Sequence, residues 1–266
     1  MKKYYRTDLG CEKSLKEKSK YNLNSKEINE ISCLFLESKA SKNTESVIIY
    51  TGKTYMYNDD YLHSVTDTVS KCLKELIPEE LINGSSILIC GLGNRNITAD
   101  SLGPYVTDKL YPTVTLKYFV NKVYLLSPGV EGQSGFSTFN TIKNASTISK
   151  CDLIVAVDSL CAKDPERLLS TIQLSAQGII PGSGVGNHKN EISKKTVGVP
   201  VISIGVPTVS DLSSIAKNIK MKGYYVSPSD VDICIDSFAD IIASTIEKVF
   251  YKTCENIKIT NTPAHF

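Results

Sequence analysis

Two aspartates stand where a protein of alternating strands and helices does its chemistry. Asp158 directly follows Leu153 to Val157, an unbroken apolar run. Asp100 follows a loop that opens with Gly91 and Gly93 behind the apolar residues Ile87 to Cys90. A carboxylate set against such a run is costly unless it has partners or a function. If the two strands are neighbours, both acids face one crevice beyond the carboxyl ends of the strands, where open α/β sheets gather ligands. Two carboxylates in close contact cannot both ionise cheaply, so one pKa is raised. One acid then holds a proton while the other accepts one from water, which is general acid–base hydrolysis.

Other chemistries find fewer residues. The loop is not a dinucleotide cradle: the third glycine position of a GxGxxG pattern holds Asn96, and the acid expected about twenty residues on is missing. Nor is it a P-loop, since no Gly-Lys-Ser/Thr follows. The glycines of "PGSGVGN" (181–187) have no compact strand–glycine–helix frame, and read either as a tight surface loop or as a loop lining a cleft. Of the three histidines, His63 falls on a helical pattern and His265 beside the last residue. Only His188, next to the glycine loop, is placed to reach a cleft, so a Cys–His pair or a Ser–His–Asp triad has few possible members. HxxxH and CxxC spacings are absent, which argues against a common zinc site.

The elements that must position these acids follow from the hydrophobic pattern. Residues 1–45 are polar, with one amphipathic patch at 27–39. Residues 45–58 read as a hairpin turning at Thr51-Gly52-Lys53. Leu62, Val65, Val69, Cys72, Leu73 and Leu76 recur at helical spacing before Pro78, which predicts a helix over 58–77. Strands are then expected at 85–91, 122–129, 151–160 and 198–208, with Asp158 ending the third. A helix is expected over 98–110, with Thr98 as its cap. A closing helix is expected over 227–250, capped by Ser227 with Pro228 in its first turn. Continuous apolar strands separated by helical spacers imply an α/β, three-layer fold: a mostly parallel twisted sheet with helices on both faces.

The 266 residues, 41% of them hydrophobic, suffice for a core of normal size without disulfide or metal staples. A net charge of +2 gives no electrostatic case for a nucleic-acid or membrane binder. The lysines from Lys13 to Lys20 read as a solvated segment. Eight cysteines form no CxxC pair, and several, such as Cys90 and Cys234, sit inside apolar runs. With no secretory signal, a reducing, cytoplasmic compartment is expected.

"GLGNRNITADSLGP" (91–104), "SPGVEGQSG" (127–135), "IVAVDSL" (154–160) and the long stretch from Thr171 to Asp211 resemble the germination proteases of spore-forming bacteria. The resemblance covers roughly residues 4–12 and 85–250, and the 171–211 stretch is its most specific part. It implies a fold like that of the hydrogenase-maturation proteases, within the wider phosphorylase/hydrolase-like class, and an aspartic-type pair of Asp100 and Asp158 without a cofactor. It also implies small acid-soluble spore proteins as substrates, a location in the forespore and spore core, and a homo-oligomer, a tetramer in the family. No membrane or direct nucleic-acid partner is expected.

The family's enzyme is made as a zymogen and cuts its substrates after an acid and before an apolar residue. "RTDLGCE" (6–12) reads threonine, acid, apolar, small, small, acid, like such a substrate written into the start of the chain. The resemblance therefore implies residues 1–8 as a propeptide, self-cleavage between Asp8 and Leu9, and a single peptidase domain over 9–266. Reading a substrate acid calls for positive or donor-rich groups. Arg95 ranks first, inside the loop that carries Asp100, with Asn94, Ser183 and His188 beside it, and Lys163, Arg167 and Lys189 close in sequence to the cleft-forming segments. Two other readings stay open. One is a metal-assisted maturation peptidase using Asp100, Asp158 and His188; the other is a non-catalytic sporulation protein of the same fold.

Overall fold

The structure, a computed structural model, describes residues 20–182, 190–216 and 223–254. Its frame is one nine-stranded sheet. In chain order the strands are β1 (Tyr21–Ile28), β2 (Ile31–Ser38), β3 (Thr44–Tyr50), β4 (Ser86–Gly91), β5 (Lys122–Leu126), β6 (Leu153–Ala162), β7 (Thr171–Ser175), β8 (Val201–Asp211) and β9 (Tyr225–Val226). They lie in the order β1-β2-β3-β7-β8-β6-β4-β5, with β9 paired to the far end of β8. The four main helices are α1 (Asp59–Leu76), α2 (Leu102–Lys109), α3 (Thr138–Ser149) and α4 (Val231–Phe250).

The α/β class is as expected, and the sheet is mixed. β5, β4, β6 and β8 are parallel to one another and carry both aspartates' segments. β1, β2, β3 and β7 form an antiparallel half joined to β8. Alternation explains why the central strands are apolar throughout. Ile87 and Ile89 of β4, with Leu153, Val155 and Val157 of β6, enter the core under α1, α2 and α4. Leu88 and Cys90, with Ile154, Ala156 and Leu160, enter a second core shared with Ile142 of α3. Cys33, Cys72, Cys90, Cys151, Cys161 and Cys234 are buried, while Cys254 is exposed.

Four expectations need correction. The 45–58 hairpin does not form, because β3 finds its partners in β2 and β7. Thr51 and Gly52 instead both donate to the Ser170 carbonyl (2.9 and 3.1 Å), and the chain turns on towards α1. The segment after them is held by Asp230, which accepts from Lys53 Nζ (2.6 Å) and Tyr55 Oη (2.7 Å). The helix at 98–110 is split: Thr98–Asp100 is a single 3-10 turn, and α2 starts after Ser101, so Thr98 is no cap. The last helix starts at Val231, because Ser227 Oγ is committed to the Thr208 carbonyl (2.7 Å). Finally, Asp158 does not end its strand. β6 continues to Ala162 because β8 accompanies it that far.

Candidate active site

The chain order of the parallel strands creates the site. From β4 the chain crosses through α2 to β5 on one side, then returns through α3 to β6 on the other. β4 and β6 therefore flank the point where strand order reverses, and a crevice opens beyond their carboxyl ends.

Backbone contact shapes the crevice floor. β4 and β6 pair as far as Gly91 and Val157, and Leu92 N–H then donates to the Val157 carbonyl (2.8 Å). The first turn of α2 packs directly on this junction. A Cβ on Gly103 would lie 2.3 and 2.4 Å from Leu92 O and N, and 2.6 Å from Val157 O. Gly93 has φ +110°, and a Cβ there would lie 2.1 Å from the Asp100 carbonyl oxygen. The loop then closes on itself. Asn94 N–H is shared between the main-chain carbonyl and the carboxylate Oδ2 of Asp100, both at 2.9 Å. Asp100 N–H donates to Ile97 O (2.7 Å), and Thr208 Oγ1 of β8 donates to Ala99 O (2.6 Å). The glycine loop thus serves to hold a carboxylate.

Asp158 is the first residue of β6 beyond the end of β4 and is 3% exposed. Its Oδ1 accepts from Ser159 N–H (3.0 Å). Asp100 and Asp158 border the same cavity of about 740 Å³. Further walls come from Glu131, Pro181, Thr208, Val209 and Tyr225. Two carboxylates on one cavity of this size can divide the labour of hydrolysis, one activating water and the other protonating a leaving amine. Among the described residues no three His, Cys, Asp or Glu side chains converge as metal ligands.

The substrate-reading candidates are placed differently. Asn94 lines the cavity, and its Oδ1 accepts from Asn96 N–H (3.0 Å) and Gln133 Nε2 (2.8 Å), which ties the aspartate loop to the 131–134 turn. Arg95 is exposed, off the cavity wall, and forms a two-pronged ion pair with Asp108. Arg167 pairs with Asp164 (3.9 Å). Asp8, Leu9, Ser183, His188 and Lys189 lie outside the described residues. Among the described residues the wall holds three carboxylates, Asp100, Glu131 and Asp158, and no lysine, arginine or histidine. Glu131 was not singled out from the sequence, although it sits inside the quoted "SPGVEGQSG" segment.

The pairing of Arg95 has a measurable consequence. The guanidinium's hydrogen bonds hold the Asp108 carboxyl below its ordinary range. Both side chains are about half exposed, so the pair contributes no more than ~1 kcal/mol. That contribution is present above the usual aspartate pKa and is lost as pH falls through the lowered folded value. Arg95→Ala is expected to destabilise slightly at pH 7 and not at all in strong acid, as read by urea melts. It should also leave the ratio of cleavage rates on Glu and Gln peptides unchanged.

Comparison with known proteins gives a consistent result. A family model described as germination protease matches residues 12–222. The germination protease of Clostridium acetobutylicum is 35% identical over 248 residues, covering 82% of this chain and 76% of the relative. That of Clostridium tetani is 34% identical over 238 residues, covering 71% and 73%. That of Bacillus licheniformis is 47% identical over 142 residues, covering 50% and 39%. Among solved structures, a NiFe hydrogenase maturation protease, HycI from Thermococcus kodakarensis, aligns with a TM-score of 0.37 and 21% identity, over 64% of this chain and 97% of that one. No helix among the described residues is long and apolar enough to cross a membrane.

Proposed function

The chain belongs to the germination proteases, and from that premise we propose that it is the endopeptidase that starts degradation of small acid-soluble spore proteins in the spore core, with Asp100 and Asp158 as its acid–base pair. The observation that carries the assignment is the shared cavity at the strand-order reversal: a loop closed on Asp100 on one side, and the buried Asp158 on the other. One carboxylate takes a proton from the attacking water and the other gives one to the departing amine. Asn94 holds the loop in place through its contacts with Asp100 and Gln133.

Cleavage falls after Glu or Asp and before an apolar residue. The described wall is acidic, so the reader of the substrate acid is sought in the 183–189 segment, where Ser183 and His188 are the candidates. The chain is made as a zymogen with residues 1–8 as propeptide, acts on itself between Asp8 and Leu9, and assembles as a homo-oligomer. A substrate-like segment tethered to its own enzyme has a high effective concentration, so even a weak fit is enough for processing.

Mass spectrometry tests the proposal directly. Incubated alone, the protein is expected to yield a chain beginning at Leu9; incubated with a small acid-soluble spore protein, it should yield fragments ending in Glu or Asp. Asp8→Ala is expected to remain unprocessed, whereas a chain produced from Leu9 onward should cut the spore protein without any processing step. An intact spore protein after prolonged incubation with the Leu9-initiated chain would overturn the assignment.

A further inference from the structure

We propose that Ile97, Val130 and Val209 form a specificity seat that takes the apolar side chain just after the scissile bond. The proposal rests on the peptidase reading above, and it names the residues that choose the substrate rather than the groups that cut it.

Three apolar residues border the cavity without serving either core. Ile97 lines it and is 54% exposed. Val130 and Val209 line it too and are half-buried. None of the three belongs to the core under α1, α2 and α4 or to the core shared with Ile142. A single exposed aliphatic side chain needs no explanation, but several gathered on one concavity mark a place that receives an apolar group.

The three come from separate segments, and hydrogen bonds draw those segments together. Gln133 Nε2 donates to Asn94 Oδ1 (2.8 Å), which joins the turn after Val130 to the loop that holds Ile97. Thr208 Oγ1 donates to Ala99 O (2.6 Å), which joins β8 beside Val209 to the far end of the same loop. Main chain then fixes Ile97 itself: its N–H donates to Asn94 O (3.0 Å), and its carbonyl accepts from Asp100 N–H (2.7 Å). The Val130 carbonyl likewise accepts from Gln133 N–H (2.9 Å) and Ser134 N–H (3.2 Å). The loop that carries Asp100 therefore also carries the seat, which puts it beside the bond being cut. Charge decides which substrate residue it takes. Among the described residues the cavity wall has carboxylates, Glu131 next to Val130 among them, and no lysine, arginine or histidine. A substrate Glu or Asp is disfavoured on such a wall. The apolar residue that follows it meets no such repulsion and gains by leaving water.

The test compares two peptides of about ten residues, each with Glu before the scissile bond and either Leu or Ala after it. Cleavage by the full chain and by the Leu9-initiated chain is followed by chromatography. Fluorescein-labelled versions with a ketomethylene group in place of the scissile amide cannot be cut, and their binding is read by anisotropy. The Leu-to-Ala ratio of kcat/KM is taken within one preparation, so the amount of folded enzyme cancels. The parent is expected to prefer Leu by about 100-fold, and Ile97→Ser to shrink that preference about tenfold. Ile97→Trp, which fills the seat, is expected to reverse the order in favour of Ala. The ratio for Glu against Gln before the bond should stay unchanged in both variants. An unchanged Leu-to-Ala ratio in both Ile97 variants overturns the seat and leaves the peptidase reading standing. A Leu preference in binding that Ile97→Ser abolishes, with neither peptide cut by the parent, supports the seat and removes the peptidase reading, so the two failures are distinct.

Discussion

Asp158→Asn is expected to lower kcat/KM on a spore-protein peptide by about 10²–10⁴-fold while the protein stays folded, because it removes a proton-transfer group without changing shape. The amide keeps an oxygen in place to accept Ser159 N–H, the contact now made by Oδ1. Asparagine matches aspartate in shape at this almost wholly buried position, so the melting temperature is expected to stay close to the parent's. Asp100→Asn is expected to cost a similar factor, and the amide can still accept from Asn94 N–H. The double variant should be little worse than either single one, as groups that act together lose their effect together. Circular dichroism, thermal melts and initial rates decide the matter. Activity within tenfold of the parent in folded Asp158→Asn would remove this residue from the acid–base pair.

Gly103→Ala is expected to be among the most damaging single-methyl additions in the molecule. The new Cβ would lie within 2.6 Å of three main-chain atoms, from Leu92 and Val157, and main chain at the meeting of two central strands has no room to give. Overpacking of this kind costs ~1–3 kcal/mol and more where the surroundings are backbone. Gly93→Ala meets a different obstacle: it combines φ +110° with a 2.1 Å approach to the Asp100 carbonyl, inside a loop rather than under a helix. It is expected to preserve the global melt far better than Gly103→Ala while losing most activity, because the Asp100 loop must open. Guanidinium unfolding alongside rate measurements separates the two. Parent-like stability in Gly103→Ala would show that α2 is not seated on the strand ends as described.

The parts of the site legible in the sequence are those built from neighbouring residues. Gly91 and Gly93 after an apolar strand announce a tight loop, and Asp100 lies within that same local unit. What escaped depends on distant partners. Thr51-Gly52 carries turn chemistry, yet β3 is paired to Thr171–Ser175 on one side, a register that no local pattern encodes. Asp158 reads as a strand terminus because the apolar run stops there, but strand length is set by the neighbour, and β8 keeps β6 extended to Ala162. Arg95 stands in the expected loop, and its capture by Asp108 on α2 is decided only when loop and helix meet. The closing helix shows the same competition: Ser227 and Pro228 are good starters, but the Thr208 carbonyl claims the serine hydroxyl.

The position of β6 between β4 and β8 also sets the order in which the crevice is assembled. Parallel neighbours must wait for long crossovers to close, which makes such pairings slow relative to local structure. A chain emerging from the ribosome as far as β5 already contains the loop that carries Asp100, but neither Asp158 nor the β6 and β8 walls of the crevice. Those arrive only when β6 inserts beside β4 and β8 docks on its other edge. On the proposed Asp100–Asp158 pair, the nascent chain gains its activity only once β6 is seated beside β4.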